Sequence, residues 1–426
     1  MAYQAAGSDR AGQKVSVRLK WRPMNIFRIP CPARSGIGFV ATLLLAACSM
    51  GIHAARSAPA QFWHGLTVSR AGVLEKHGRP FRGIGVNFVG ALRRLLANPH
   101  RRPGLSAHSV HSVAADFKQL AAYHIPFIRF PALAAWGSPA HRRRYLKKVY
   151  FTHPERYFHA MDKLCALANQ YHIGLIPSLF FTRWPDALAH EHGLAVWNNP
   201  KSRTYRIWTH YTLEMVRRYE FNPAIWGWEF GNELNLQVDL PHAGQHSHGH
   251  TPSWGYTHAQ MWKLYARFVR LVRRYDGYHI IEAGNSRPRA DSWHNMMDHQ
   301  WKRDTPTQWA YMLKMDNAPF SVISVHEYGR HAPANIRRAA ALALTWHKPL
   351  FVGEFGVSGP PAKSRRLFMA MLHAIVQSKV PLAAVWAFDE RGQTSGKRDY
   401  SITPANNRRF MLKAIEAANR QIQSGH

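Results

Sequence analysis

Two glutamates stand where a chain of this kind could cleave an acetal. Glu233 closes the stretch IWGWEFGNELN (225–235) just after an apolar run, and Glu354 closes a similar run in PLFVGEFG (349–356). Each run reads as a buried strand that delivers one carboxylate near its end. Two carboxyl groups about 5 to 5.5 Å apart suffice for cleavage with retention: one protonates the leaving oxygen and the other attacks the anomeric carbon. Such a pair works only if separate strands end on a common rim.

The rest of the chain supplies strands of that kind. Apolar runs predict strands at Gly83–Phe88, Phe127–Pro131, Gly174–Phe180, Ile225–Phe230, His279–Ala283, Ser321–Val325, Leu350–Val352 and Ala383–Ala387. Helical periodicity lies between them: Ile207, Trp208, Tyr211 and Met215 share one face, as do Met261, Leu264, Tyr265, Phe268 and Val272. Leu66–Val68, Val73–Leu74 and the turn His77–Pro80 predict a small hairpin before the first strand. Eight such β/α units predict a single (β/α)8 TIM barrel with a short N-terminal β-hairpin and long βα loops. In that fold the carboxyl ends of the strands form the reactive rim. The chain is poor in acids, yet Glu229, Glu233, Glu282, Glu327, Glu354, Asp389 and Glu390 all fall in or just after predicted strands. Burying carboxylates is costly without a reason. Glu229 is expected to pair with an arginine inside the barrel.

The motifs around the two glutamates resemble glycoside hydrolase family 5, within the larger clan of barrels that carry catalytic glutamates after strands four and seven. Asn232-Glu233 is similar to that family's Asn-Glu pair, and Gly353-Glu354-Phe355-Gly356 to its nucleophile motif. Gly85-Val86-Asn87, Phe127-Ile128-Arg129-Phe130-Pro131 and Val325-His326-Glu327-Tyr328 resemble its segments after the hairpin, at the second strand and after the sixth. The resemblance runs through most of the chain beyond the leader. It implies Glu233 as acid/base and Glu354 as nucleophile, Arg129 holding Glu354 ionised, and Asn232 on the sugar 2-hydroxyl. It further implies that Tyr328 contacts the nucleophile, that His326 positions the acid or the sugar, and that Trp386 stacks on substrate. The activity implied is a retaining endo-β-1,4-mannanase or endo-β-1,4-glucanase, working alone as a monomer without cofactor or metal. One departure is plain. Where the family often has a His after strand three, this chain reads Ser178-Leu179-Phe180-Phe181-Thr182-Arg183-Trp184.

Sugar rings present flat C–H faces, so aromatic platforms are expected on the rim. Beside Trp386, the candidates are Trp136, Trp184 and Trp254; Trp226 and Trp228 read equally well as core. His242, His246, His248 and His250 sit in one loop without a Cys or acid pattern that would complete a metal site.

Charge and leader bound the setting. The chain has 426 residues, 56 Lys and Arg against 24 Asp and Glu, and a formal net charge of +32. Such a field favours anionic partners; no nucleic-acid-binding module accompanies it. Arg93, Arg94, Arg101 and Arg102 follow strand one, and Arg142, Arg143, Arg144, Lys147 and Lys148 follow strand two. An acidic or substituted polysaccharide fits these clusters, as does a merely solvated basic surface. Residues 1–60 read as an export leader and short tether, with the barrel in 61–426. The apolar run Ile37–Met50 is too short to span a bilayer. It ends in Leu45-Ala46-Ala47-Cys48, which resembles a lipobox with Cys48 lipidated, while Ala58-Pro59-Ala60 offers an ordinary cleavage site. Either way the expected location is the periplasm, the outer membrane or the medium. Cys165, alone after the leader, reads as a small buried hydrophobe. A non-catalytic carbohydrate-binding barrel of the cell envelope is the competing expectation.

Overall fold

Strands buried on both faces must be wrapped on both sides, and that requirement organises the protein. The computed structural model describes residues 65–97, 105–241, 256–394 and 399–425. The leader with Cys48, the Arg101–Arg102 pair, the four histidines at 242–250 and Trp254 lie outside the described residues. Three short strands come first: β1 (Leu66–Val68), β2 (Leu74–Lys76) and β3 (Arg79–Pro80). Eight follow: β4 (Gly83–Asn87), β5 (Phe127–Pro131), β6 (Gly174–Phe180), β7 (Gly227–Gly231), β8 (Ile280–Glu282), β9 (Ile323–Tyr328), β10 (Leu350–Gly356) and β11 (Leu382–Val385).

The eight form one parallel sheet in the order β8-β7-β6-β5-β4-β11-β10-β9. The first of them, β4, pairs with the last, β11, so the sheet curls round on itself. The remaining seam lies between β8 and β9. There the Ser321 N–H donates to the Ile281 carbonyl at 2.9 Å and Ser321 Oγ accepts the Ile281 N–H at 3.2 Å. The protein is a (β/α)8 barrel, with helices between the strands and the small antiparallel sheet beneath.

Helices start where the sequence provides a cap. Ser202 accepts from Tyr205 N ahead of helix Arg203–Tyr219, and Thr257 accepts from Gln260 N ahead of His258–Val272. The apolar faces expected on these two helices are buried as expected. Cys165 is buried in helix Pro154–Gln170, and burial pushes its thiol up, as suits a packing residue.

The barrel interior is layered. Leu66 and Leu74 of the small sheet pack with Phe127, Ile176, Trp226, Ile280 and Phe351 as an apolar floor. Leu66 N–H also donates to the Trp226 carbonyl at 3.0 Å, and Lys76 Nζ lies 4.0 Å over the Trp226 ring. Burying each large apolar side chain there contributes about 1.5–3 kcal/mol. Above this floor the inward residues turn polar: Asn87, Arg129, Ser178, Glu229, Glu282 and Ser324 are all buried. Strand β10 deserves its longer range, because it carries a bulge. Val352 pairs with Val325 and Glu354 with His326, so Gly353 is an extra residue between them. With strict alternation Phe351, Gly353 and Phe355 would share the inner face. The bulge resets the parity, placing Glu354 inside and Phe355 in the outer core.

Candidate active site

Arg129 is the hub of the polar layer. Its Nη1 donates to Glu354 Oε1 at 2.7 Å and to Asn87 Oδ1 at 2.9 Å, and its Nη2 donates to Glu229 Oε1 at 2.9 Å and to Asn232 Oδ1 at 2.7 Å. Nε completes a fork on Glu229. Burial by itself would lower the guanidinium's value, but Glu229 and Glu354 outweigh it and raise it, so the cation persists in the interior. Glu229 is thus the arginine partner expected from the sequence. Burial favours its neutral form, and Arg129, with a hydrogen bond from Glu282, overcomes that and holds it below the ordinary range. Glu282 is driven the other way, by burial first and then by Glu229. Both effects favour its protonated form, and one of its oxygens accepts the Gly284 N–H at 2.8 Å.

Glu354 is fixed from two sides. Tyr328 O–H donates to Glu354 Oε2 at 2.7 Å while Arg129 takes Oε1. Burial, then the neighbouring Glu354, pushes the Tyr328 phenol well up, so it remains a donor. Glu233 reaches the site from a left-handed residue (φ 49°) just past β7, with its N–H on the Gly284 carbonyl at 2.8 Å. Gly284 must be a glycine: its φ is +68° and an added Cβ would lie 1.8 Å from the Gly231 carbonyl oxygen. His326 Nδ1 lies 3.0 Å from Glu233 Oε1 and 3.6 Å from Glu354 Oε1. Gly353 leaves room for that ring, since a Cβ there would come within 3.0 Å of His326 Nε2.

Carboxylate and imidazole atoms of Glu233, His326 and Glu354 lie within 4.8 Å of one another. That spacing would admit a divalent cation. The donor set suits proton transfer better, because both Glu354 oxygens are already held by Arg129 and Tyr328, and the guanidinium supplies positive charge at the same spot. One carboxylate oxygen of Glu233 and one of Glu354 therefore face each other across less than 4.8 Å.

Of the residues singled out in the sequence, the structure brings together Glu233, Glu354, Arg129, Asn232, His326 and Tyr328. Trp386 is half-buried beside them; its ring is parallel to Phe181 at 6.4 Å, and its Nε1 donates to Gln393 Oε1 at 2.8 Å. Trp136 is exposed on the rim, 6.3 Å from Phe181. Trp184 corrects the expectation of a rim platform. It is 0% exposed, enclosed by Tyr150, Phe180 and Tyr211, with Nε1 on the Leu179 carbonyl. Trp226 and Trp228 are core, as one of the two readings had them. Asp389 and Glu390 do not reach the centre: Asp389 pairs with Arg94 at 2.5 Å and Glu390 lies 3.9 Å from Arg93. Three contributors were named in the sequence reading without a role in the site. Phe181 stands where the expected His is missing, with the Arg129 guanidinium 5.5 Å from its ring. Asn87 was visible only as part of a motif, and Glu282 had no signal beyond its acid type.

Glu327, next to His326 on β9, faces away from the centre, with Arg287 at 3.3 Å and Asn335 Nδ2 at 3.1 Å. Burial raises its carboxyl from 4.5 to about 7. Between those values the folded protein binds the proton and the unfolded chain does not, so stability falls as pH rises through about 7. The full span corresponds to about 3 kcal/mol. Glu327→Gln removes the ionisable group. Its melting temperature relative to the native protein should therefore be higher at pH 8 than at pH 5, by thermal denaturation at both. An offset that is the same at both pH values would contradict this placement.

No family model matches the sequence, and no curated protein matches it. Solved structures do resemble the fold. A family 5 mannosidase from Rhizomucor miehei superposes with a TM-score of 0.60 at 13% identity, covering 85% of this chain and 99% of that one. An endo-β-1,4-mannanase from Thermotoga petrophila gives 0.55 at 12%, covering 81% and 78%. A Streptomyces cattleya family 5 protein in complex with GlcNAc gives 0.56 at 16%, covering 81% of each. At such identities the likeness is one of fold.

Proposed function

We propose that this protein is a retaining β-glycosidase of the glycoside hydrolase family 5 type, cutting a β-1,4-linked mannan or glucan by double displacement. The observation that carries the reading is the Glu233–Glu354 pair within 4.8 Å, with Glu354 gripped by Arg129 and Tyr328. The mannanase and mannosidase folds it resembles favour mannan as the first polymer to try.

In this reading Glu233 protonates the glycosidic oxygen as the bond to the anomeric carbon breaks, and Glu354 attacks that carbon from the other face. Arg129 and Tyr328 orient the attacking carboxylate and release it as it gives up charge to the new ester bond. Asn232 Oδ1 is taken by Arg129, which leaves its amide N–H groups for a sugar hydroxyl. Water, deprotonated by the now anionic Glu233, then resolves the glycosyl-enzyme with the original configuration. His326, bonded to Glu233, holds that carboxyl through both proton transfers. The export leader expected from the sequence supports an activity outside the cytoplasm, on a monomer either anchored through Cys48 or secreted.

The test is product release from β-1,4-mannan, β-1,4-glucan and xylan by the purified protein, with the anomer formed first followed by proton NMR. Early appearance of the β-anomer from one polymer supports double displacement. An α-anomer first would sink it, and binding without release from any polymer would favour a carbohydrate-binding protein.

A further inference from the structure

The connections after β5 and β6 carry cations that the site above leaves unused. Arg142, Arg143 and Arg144 lie on helix Pro139–Leu146, and Lys147 and Lys148 on the turn Lys147–Phe151 that continues it. No Asp or Glu occurs between Asp116 and Glu155. Among the described residues, none of these five cations makes an ion pair. Helix Pro139–Leu146 packs against helix Trp184–Ala189 of the next connection. That contact brings in exposed His190 and His192, and Arg203 at the start of helix Arg203–Tyr219. Slight burial, and then Arg143, Arg203, Lys147 and His192, hold the His190 imidazole below its ordinary value, so these cations share one neighbourhood. The carboxylates nearby are engaged: Glu191 accepts the N–H groups of Arg203 at 3.2 Å and Thr204 at 2.8 Å, and Glu155 faces His153 at 3.3 Å.

This patch belongs to the reactive rim. In a (β/α)8 barrel the βα connections and helix N-termini stand over the carboxyl ends of the strands. An aromatic row runs from the centre to the start of the connection after β5: Trp386 is parallel to Phe181, and Phe181 lies against Trp136, three residues before helix Pro139–Leu146. Flat rings ending at a cationic wall suit a chain of sugars that bears negative charge at intervals.

We propose that the wall formed by the connections after β5 and β6 binds carboxylate groups of an acidic polysaccharide, and that such a polymer is this protein's substrate. The inference rests on the glycosidase reading. It differs from general basicity in being local, which makes position the variable to test. Two triple variants of the full chain remove the same charge: Arg143→Gln/Lys147→Gln/Arg203→Gln on the wall, and Arg270→Gln/Arg274→Gln/Lys379→Gln among exposed residues at the helix C-termini on the opposite end. Affinity and hydrolysis are measured on carboxymethyl and hydroxyethyl forms of the same β-1,4-mannan and β-1,4-glucan, with duplex DNA as a second polyanion.

The wall variant should bind the carboxymethyl polymers about tenfold more weakly at low salt, the scale that three exposed charge pairs add up to. The opposite-end variant should match the native protein, and salt at about 0.5 M should erase the difference. Equal weakening by both variants would overturn the proposal. So would tighter binding of DNA than of any carboxymethyl polymer, with the wall variant losing the DNA. Cleavage of the hydroxyethyl forms without preference for the acidic ones removes this inference and leaves the glycosidase intact. Selective loss of carboxymethyl binding in a protein that cleaves nothing keeps the wall as an acid-binding surface and removes the glycosidase.

Discussion

Glu354→Gln should reduce kcat on the cleaved polymer by about 10^4-fold or more, the scale on which removal of a covalent nucleophile is felt. The amide is nearly the same size and can still meet Tyr328 and Arg129, so the fold is preserved while the attacking oxygen is lost. Glu233→Gln should behave differently. A general acid contributes about 10^2- to 10^4-fold, and a leaving group that needs no proton makes the acid dispensable for the first step. On an aryl glycoside with a nitrophenolate leaving group, Glu233→Gln should therefore show a rapid burst of aryl release followed by slow turnover. Glu354→Gln should show no burst. The roles assigned to the two acids fail if both variants respond alike to the leaving group, or if Glu354→Gln retains more than about one part in a hundred of the native rate.

Arg129→Met should lower stability by about 3–5 kcal/mol, the cost of breaking a buried ion pair by removing one partner. In melting temperature that is roughly 10 °C. The side chain is fully enclosed, and without it Glu229 and Glu354 face each other's charge with Glu282 beside them. Adding Glu229→Gln should recover part of the loss, because the substitution removes one of the stranded charges; the thermal double-mutant cycle measures how much. Arg129→Lys should retain more stability than Met and still lose activity, since one ammonium cannot reproduce the fork that meets Glu229, Glu354, Asn87 and Asn232 together. If Arg129→Met melts with the native protein, the polar layer is not held by this hub.

The strands of the barrel were legible because parallel strands covered on both faces read as unbroken apolar runs, and Phe127–Pro131 and Gly174–Phe180 match residue for residue. Leu350–Val352 was read four residues short of the observed β10. Gly353 followed by an acid looks like the end of a strand, and nothing local announces that β9 will pair on past it. Trp184 misled for a related reason: a Trp opening a helix just after a strand reads as a rim residue until the rings of Tyr150, Phe180 and Tyr211 are seen to close over it. Phe181, one position from a strand end, took the place on the rim instead.

By itself the chain determined which elements form, their order, and that one glutamate lies near the end of each of two strands, because apolar periodicity, caps and strand breakers act over a few residues. Which carboxylates meet was decided only in the tertiary structure. Direction in a strand is a matter of parity, and the single extra residue at Gly353 turns Glu354 inward beside Glu233 and His326. The sharing of one arginine between Glu229 and Glu354, and the upward push on the Glu282 carboxyl, depend on burial and on neighbours brought from β4, β7, β8 and β10. Those are distances through space, which no spacing along the chain encodes.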